Sequence, residues 1–306
     1  MFSFGRPEVR QFGGIGAMVA RPGIRLAVRS AARLEASGPL AERAVAFARR
    51  TAATLGFAAE PNCRIDIESA PREHVGLGTG TQLGLAVAAA IYALAGRPIS
   101  EPAELARAVG RGERSAIGTH GFALGGLLLE AGKRRASDFS PLVARVEMPA
   151  EWRVLLLIPR SESGMAGDAE RQAFAELPPV PPELTGALTQ EALLNLLPAA
   201  AEAEFAAFSG SLFRFGQLAG SCFAARQQGA LRDARATELV RRLRELGVEG
   251  VAQSSWGPTL LAVLPDEQSG RDLIARLQAE TDLGDYECLL TQFENTGARI
   301  EIEPEA

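Results

Sequence analysis

Hydrophobic and polar positions alternate in two short stretches near the N-terminus. In GIRLAVRS (residues 23–30), Ile24, Leu26 and Val28 alternate with Arg25 and Arg29. In CRIDIESA (residues 63–70), Ile65 and Ile67 oppose Arg64, Asp66 and Glu68, and Pro71 ends the run. A period of two predicts half-buried strands. FGGIGAMVA (residues 12–20) reads as another strand, ahead of the Arg21-Pro22 turn. LAERAVAFARRTAATLG (residues 40–56) has a helical period, with Gly56 placed as a C-terminal cap. The stretch EHVGLGTGTQLGLAVAAAI (residues 73–91) runs glycines and threonines into a helix that is apolar all round, stopped by Gly96 and Pro98. A short helix is predicted over residues 102–109. GFALGGLLLEAG (residues 121–132) reads as strand material leading to a turn.

The pattern changes near Glu151. WRVLLLIP (residues 152–159) is continuously apolar, as a central strand is. ELPPVPPEL (residues 176–184) carries four prolines and is predicted to be an exposed loop. Residues 191–226 are helical in pattern. TELVRRLRELG (residues 237–247) is amphipathic, with Leu239, Val240, Leu243 and Leu246 on one face. A hairpin, GVAQSSWGPTLLAVLP, then a helix, GRDLIARLQAE, and a strand, YECLLTQF, complete the chain. This order predicts a split β-α-β unit of ferredoxin type. The fold class expected is α+β in two domains, 1–150 and 151–306.

Composition narrows the function. The chain has 306 residues, 47% hydrophobic and 23% charged, as globular proteins do. Its 32 basic and 37 acidic residues give a net charge of −5, which argues against nucleic acid as a partner. Cys63, Cys222 and Cys288 form no CxxC or zinc spacing and are expected to be buried thiols of a cytoplasmic protein. No signal peptide or membrane-spanning run is seen.

Three segments carry candidate chemistry. In the first, Thr79 and Gln82 form a T-x-x-Q capping box, which predicts a helix start near Thr81. Gly76, Leu77, Gly78, Thr79, Gly80 and Thr81 would then offer free backbone N–H groups and the positive end of a helix dipole. Such a cradle suits a phosphate, stabilised by roughly 0.3–1 kcal/mol, or ~2 if partly buried. The alternative is a glycine-rich turn into a core helix. The second segment, residues 111–132, brings together Arg111, Arg114, Ser115, Thr119 and His120. Arg114 suits bidentate phosphate binding or is a surface arginine. His120 and His74, the two histidines of the chain, act as acid, base or phosphate donor, or are structural. In the third, QSSWGPT, the hydroxyls of Ser254 and Ser255 follow Gln253 and precede Trp256. That turn either closes over a ligand, with Trp256 stacked on an aromatic substrate, or is a hairpin with a core tryptophan.

In order and spacing these segments resemble the three motifs of the GHMP kinase superfamily: a G-L-G-[ST] loop, a central segment ending in Gly-Gly, and a C-terminal loop. The resemblance implies an N-terminal α/β domain, a C-terminal ferredoxin-like domain and a site between them. Two departures point to one branch. Gly118 stands where the kinases generally carry an aspartate base, and QSSWGPT replaces a glycine-rich run. Both resemble the β-ribofuranosylaminobenzene 5′-phosphate synthase family, as does RQFGGIG (residues 10–16). That family opens with a strand carrying S-x-R-L-H-x-G, matched here only at Phe4-Gly5.

The resemblance implies a phosphoribosyltransferase of tetrahydromethanopterin synthesis. It would join 5-phosphoribosyl diphosphate to 4-aminobenzoate or 4-hydroxybenzoate and release carbon dioxide and diphosphate. Arg114, Ser115 and His120 would be catalytic. The 76–81 loop and Gln253, Ser254, Ser255 and Trp256 would bind phosphate or substrate. Mg²⁺ would accompany the donor, its ligands unassigned among candidates such as Glu113, Asp168 and Glu170. Small molecules are the expected partners, with a homodimer allowed. The alternatives are an ATP-Mg²⁺-dependent small-molecule kinase and a non-catalytic phosphometabolite-binding protein.

Overall fold

The computed structural model describes residues 1–99, 101–161, 164, 167–227, 229–281 and 283–302, and the backbone alone of 168–171. The N-terminal part holds β1 (Gly14–Ala17), β2 (Arg25–Ser30), β3 (Glu35–Ser37), α1 (Ala41–Thr54), β4 (Cys63–Ser69), α2 (Thr79–Leu94), α3 (Pro102–Ala108), α4 (Ile117–Leu124), β5 (Leu127–Glu130) and β6 (Leu142–Val146). The remainder holds β7 (Arg153–Pro159), α5 (Gly167–Glu176), α6 (Pro182–Gln190), a π-helical turn (Glu191–Leu196), α7 (Leu197–Ala201), α8 (Phe205–Ser221), α9 (Ala234–Glu245), β8 (Val251–Gln253), β9 (Leu260–Leu264), α10 (Glu267–Glu280) and β10 (Tyr286–Gln292).

Three sheets organise these elements, with strand orders β1-β5-β6, β2-β4-β3 and β10-β7-β9-β8. The third is antiparallel throughout. Counted within its own unit, its order is 4-1-3-2, that of the split β-α-β expected for the second half. The apolar run of β7 is explained by burial on both faces. Val154, Leu156 and Ile158 enter one core with Trp152, Phe208 and Phe215. Leu155 and Leu157 enter another, with Leu239, Leu243, Leu273 and Leu277 of α9 and α10. A separate core lies between α1, α2 and the β2-β4-β3 sheet. There α1 contributes Ala44, Phe47, Ala48, Thr51 and Ala52, one stripe at helical spacing. Gly56 (φ 78°) ends α1 as expected, with Phe57 N–H donating to Ala52 O at 2.9 Å.

Three expectations need correction. Residues 121–124 belong to α4, and β5 begins only at Leu127. A Cβ at Gly121 would collide with Met18, so this glycine serves close helix packing, not extension. The proline-rich stretch is not simply exposed: Leu177 and Val180 are buried, and Val180 N–H donates to Phe4 O at 3.1 Å. The helix after the glycine loop starts at Thr79, not Thr81.

Candidate functional site

The site forms where the three segments meet. The glycine loop, residues 72–78, is held at both ends. Arg72 donates from Nη1 to Arg160 O and from Nη2 to Pro159 O, both at 2.6 Å. Thr79 Oγ1 donates to Arg72 O at 2.9 Å. Gly78 caps α2 in the left-handed region, φ 68°, as glycine can. No side chain caps this helix. The capping-box reading therefore fails, because both residues are used elsewhere. Thr79 ties back the loop, and Gln82 Nε2 donates to Gly118 O at 2.7 Å. The N–H groups of Thr79 and Gly80 head the helix and have no carbonyl one turn earlier to bond. The buried α2 behind them contributes its dipole.

Gln82 also brings the second segment to the first. A Cβ at Gly118 would lie 3.1 Å from Thr81 Cγ2 and 3.5 Å from Gln82 Nε2. Two arginines lie beside the same helix start. A Cβ at Gly80 would lie 2.6 Å from Arg43 Nη2 and 3.1 Å from Arg111 Nη2. Arg43 forms an ion pair with Glu73 of the loop. Both guanidiniums stack on Phe47, at 5.6 Å and 5.5 Å from its centroid.

The third segment closes on the first. Ser254 Oγ donates to Gly76 O at 2.7 Å, and Thr259 N–H donates to Val75 O at 3.3 Å. Gly76 (φ 86°) has no room for a Cβ, which would sit 2.7 Å from Ser254 O. Gln253 Nε2 donates to Ser255 O at 3.2 Å, and its Oε1 accepts Arg232 N–H at 2.8 Å. His74 (φ 59°) and Ser255 (φ 57°), one in each loop, occupy the left-handed region without being glycines, a strain that functional loops often hold.

Trp256 resolves in favour of the core. It is 8% exposed and packs at 4.3 Å on Phe223 and 5.0 Å on Phe174. Phe174 in turn carries Arg114, whose guanidinium lies 4.3 Å above its ring. The second and third segments thus meet through an Arg114–Phe174–Trp256 stack. Leu77 packs, half-buried, on the core beneath them.

Ser115 and His120 stand behind Arg114. Ser115 Oγ donates to Glu130 Oε1 at 2.5 Å, and Ala116 N–H donates to Glu130 Oε2 at 2.8 Å. Glu130 is fully buried, which pushes its carboxyl above its ordinary value despite those bonds. His120 Nε2 contacts Ser140 O at 2.8 Å and its ring meets the edge of Phe139. His74 is exposed in the glycine loop. Lys133, also buried, donates from Nζ to Glu113 O at 2.7 Å, and burial lowers its pKa. Arg43, Glu73, Glu130, Lys133 and Phe174 had no role in the sequence reading. Only Glu130, a carboxylate ending the apolar run LLLE, leaves a local sequence signal.

Among the described residues, no group of three or more His, Cys, Asp or Glu could hold a metal ion. The side chains of Asp168 and Glu170 lie outside the described residues, and Glu113 is exposed. No helix of the described residues is long and apolar enough to cross a membrane.

A glycine-rich helix start facing a ferredoxin-like unit defines the two-domain class of the GHMP kinases. Residues 40–126 match the family described as GHMP kinases N terminal domain, and residues 197–282 that described as GHMP kinases C terminal. Homoserine kinase from Cytophaga hutchinsonii superposes with a TM-score of 0.64 at 16% identity, covering 92% of this chain and 90% of that one, a likeness of fold. The chain is 31% identical to β-ribofuranosylphenol 5′-phosphate synthase of Methanothermobacter thermautotrophicus, over 82% of this chain and 77% of the relative. With the protein of the same name from Archaeoglobus fulgidus it shares 30%, over 95% and 92%. The chain belongs to the β-ribofuranosylphenol 5′-phosphate synthase family.

Proposed function

We propose that the protein transfers the phosphoribosyl group of 5-phosphoribosyl diphosphate to a 4-substituted benzoate, with loss of carbon dioxide and diphosphate. The phenol in the relatives' names favours 4-hydroxybenzoate over 4-aminobenzoate as acceptor. The observation that carries this reading is Gly118. It faces the first turn of α2, where even a Cβ requires Thr81 to shift by a few tenths of an ångström. Gly118 carries no carboxylate, the base that alcohol phosphorylation would call on, and a side chain there would press on Thr81.

A benzoate with a para hydroxyl needs no such base. Its ring carbon bearing the carboxylate is already nucleophilic. The bond from ribose C1 to diphosphate oxygen breaks as the new C–C bond forms. The bond to the carboxylate then breaks, its electron pair restores the aromatic ring, and carbon dioxide leaves. Negative charge grows on the departing diphosphate. The N–H groups of Thr79 and Gly80, the α2 dipole and Arg114 would stabilise it, the largest contribution in such catalysis. Ser115 and His120 position Arg114's turn through Glu130 and Ser140. Ser254 and Gln253 hold the third loop over the first, and Trp256 stiffens it. Mg²⁺ uses one or two carboxylates plus substrate phosphates. Glu73, beside the cradle and paired with Arg43, would be a donor to the ion only once a bound phosphate releases it, and the ion would neutralise leaving-group charge.

The test incubates the protein with carboxyl-labelled 4-hydroxybenzoate, 5-phosphoribosyl diphosphate and Mg²⁺. Stoichiometric release of labelled carbon dioxide and diphosphate is expected. No release, together with ATP consumption on an alcohol, would overturn the assignment in favour of a kinase.

A further inference from the structure

Arg111 is an unmatched cation. It makes no side-chain hydrogen bond or ion pair among the described residues, and its Nε is buried without a partner. Its neighbours make this worse. Burial lowers the Arg111 pKa, the charges of Arg43 and Arg50 lower it further, and Glu73 and Glu113 offset this only in part. A guanidinium held beside two others, with one adjacent carboxylate already paired to Arg43, leaves net positive charge at the head of α2. Gly80 is what permits it, since any side chain there would displace the Arg43 guanidinium.

We propose that Arg43 and Arg111 are the cationic arm of the anion site, binding a phosphate-type group of the substrate at the start of α2, with Glu73 as the internal anion that this group displaces from Arg43. This rests on the reading of residues 76–81 as a phosphate cradle. The N–H groups of Thr79 and Gly80 approach the anion along the helix axis. The arginines approach from the side, where the Cβ direction of position 80 tilts toward the helix N-terminus. Bidentate guanidiniums suit phosphate oxygens. Glu73 keeps Arg43 oriented when no anion is bound.

The experiment titrates inorganic diphosphate, and separately ribose 5-phosphate, into the metal-free protein by calorimetry. Arg43→Gln and Arg111→Gln should each weaken binding roughly ten-fold or more, while Arg111→Lys retains part of it. Glu73→Gln should strengthen binding, because the competing carboxylate is gone; if Arg43–Glu73 were only a structural pair, it would weaken binding or leave it unchanged. The thermal midpoint of Arg111→Gln without anion should not fall, since a repelled cation is removed. Whichever ligand responds identifies the end of the donor held here. Wild-type binding with unchanged affinity in both arginine variants would overturn the proposal alone. Absence of wild-type binding to either ligand would overturn the cradle itself.

Discussion

The hydroxyl of Ser254 donates to the carbonyl of Gly76 across 178 positions of sequence, at 2.7 Å. It joins the third segment to the first at the point where the chain turns into α2. Because Ser254 O and Gly257 O also crowd Gly76, the two loops form one rigid lip. Ser254→Ala removes one bond and should cost about 1 kcal/mol, a drop of about 2 °C in thermal midpoint. Gly76→Ala meets both a clash and a positive φ. It should lower kcat/KM for 5-phosphoribosyl diphosphate by on the order of 10²-fold, more than Ser254→Ala does. Steady-state kinetics of the two variants check that order.

Gly118→Asp tests the absence of a base. The added side chain presses on Thr81 and Gln82 and places a negative charge beside a site for anions. Diphosphate release should fall at least ten-fold, with weaker donor binding, and no ATP-dependent phosphorylation should appear. Recovery of transferase activity at high donor concentration would show that charge, not packing, is responsible. Retention of full activity would remove Gly118 from the argument for the transferase.

Trp256 distinguishes a stacking platform from a loop anchor. Its ring is buried against Phe223, tilted at 41°, and Phe174, nearly perpendicular at 83°. Trp256→Ala should therefore cost about 3–5 kcal/mol, as for other buried aromatics. Trp256→Phe should cost far less, on the order of 1 kcal/mol, since Nε1 has no acceptor to lose. The KM for the aromatic acid should stay within about two-fold in Trp256→Phe. A larger rise would place the ring against substrate.

What the sequence made legible follows from how local each signal is. Alternation in β2 and β4 and the stripe of α1 depend on neighbours within a few residues, and both periods read true. The ferredoxin order was readable because its strands and helices each carry a strong period. The head of α2 was not, for a physical reason. Thr79 and Gln82 match a local cap, yet their bonds go to Arg72 O and Gly118 O, partners that only tertiary packing supplies. The α4 helix was hidden by glycines that exist for close approach to Thr81 and Met18. Arg43 looks like any solvated charge on an amphipathic helix, 37 positions before Gly80, and nothing in its surroundings along the chain announces Arg111.

Glu130 sets a pH dependence whose sign can be worked out. Burial raises its carboxyl above the ordinary value of 4.5 in the folded protein, against the pull of Ser115, Ser140, Ala116 N–H and His120. A raised folded-state pKa means that the folded state holds the proton more tightly than the unfolded chain does. The stability this contributes is fully present below the unfolded pKa and is lost as pH rises through the folded value. Lys133 is shifted downward by burial, so its own contribution is lost on acidification, not on alkalinisation. Glu130→Gln keeps an acceptor for Ala116 N–H and cannot ionise. Urea denaturation of both proteins between pH 5 and 8 should show the wild type losing stability relative to Glu130→Gln as pH rises. Arg114 depends on the same turn, so donor KM should rise in step with that loss. If the wild type instead gains on Glu130→Gln with rising pH, Glu130 is ionised and stabilised by Lys133, and the turn is held by an ion pair.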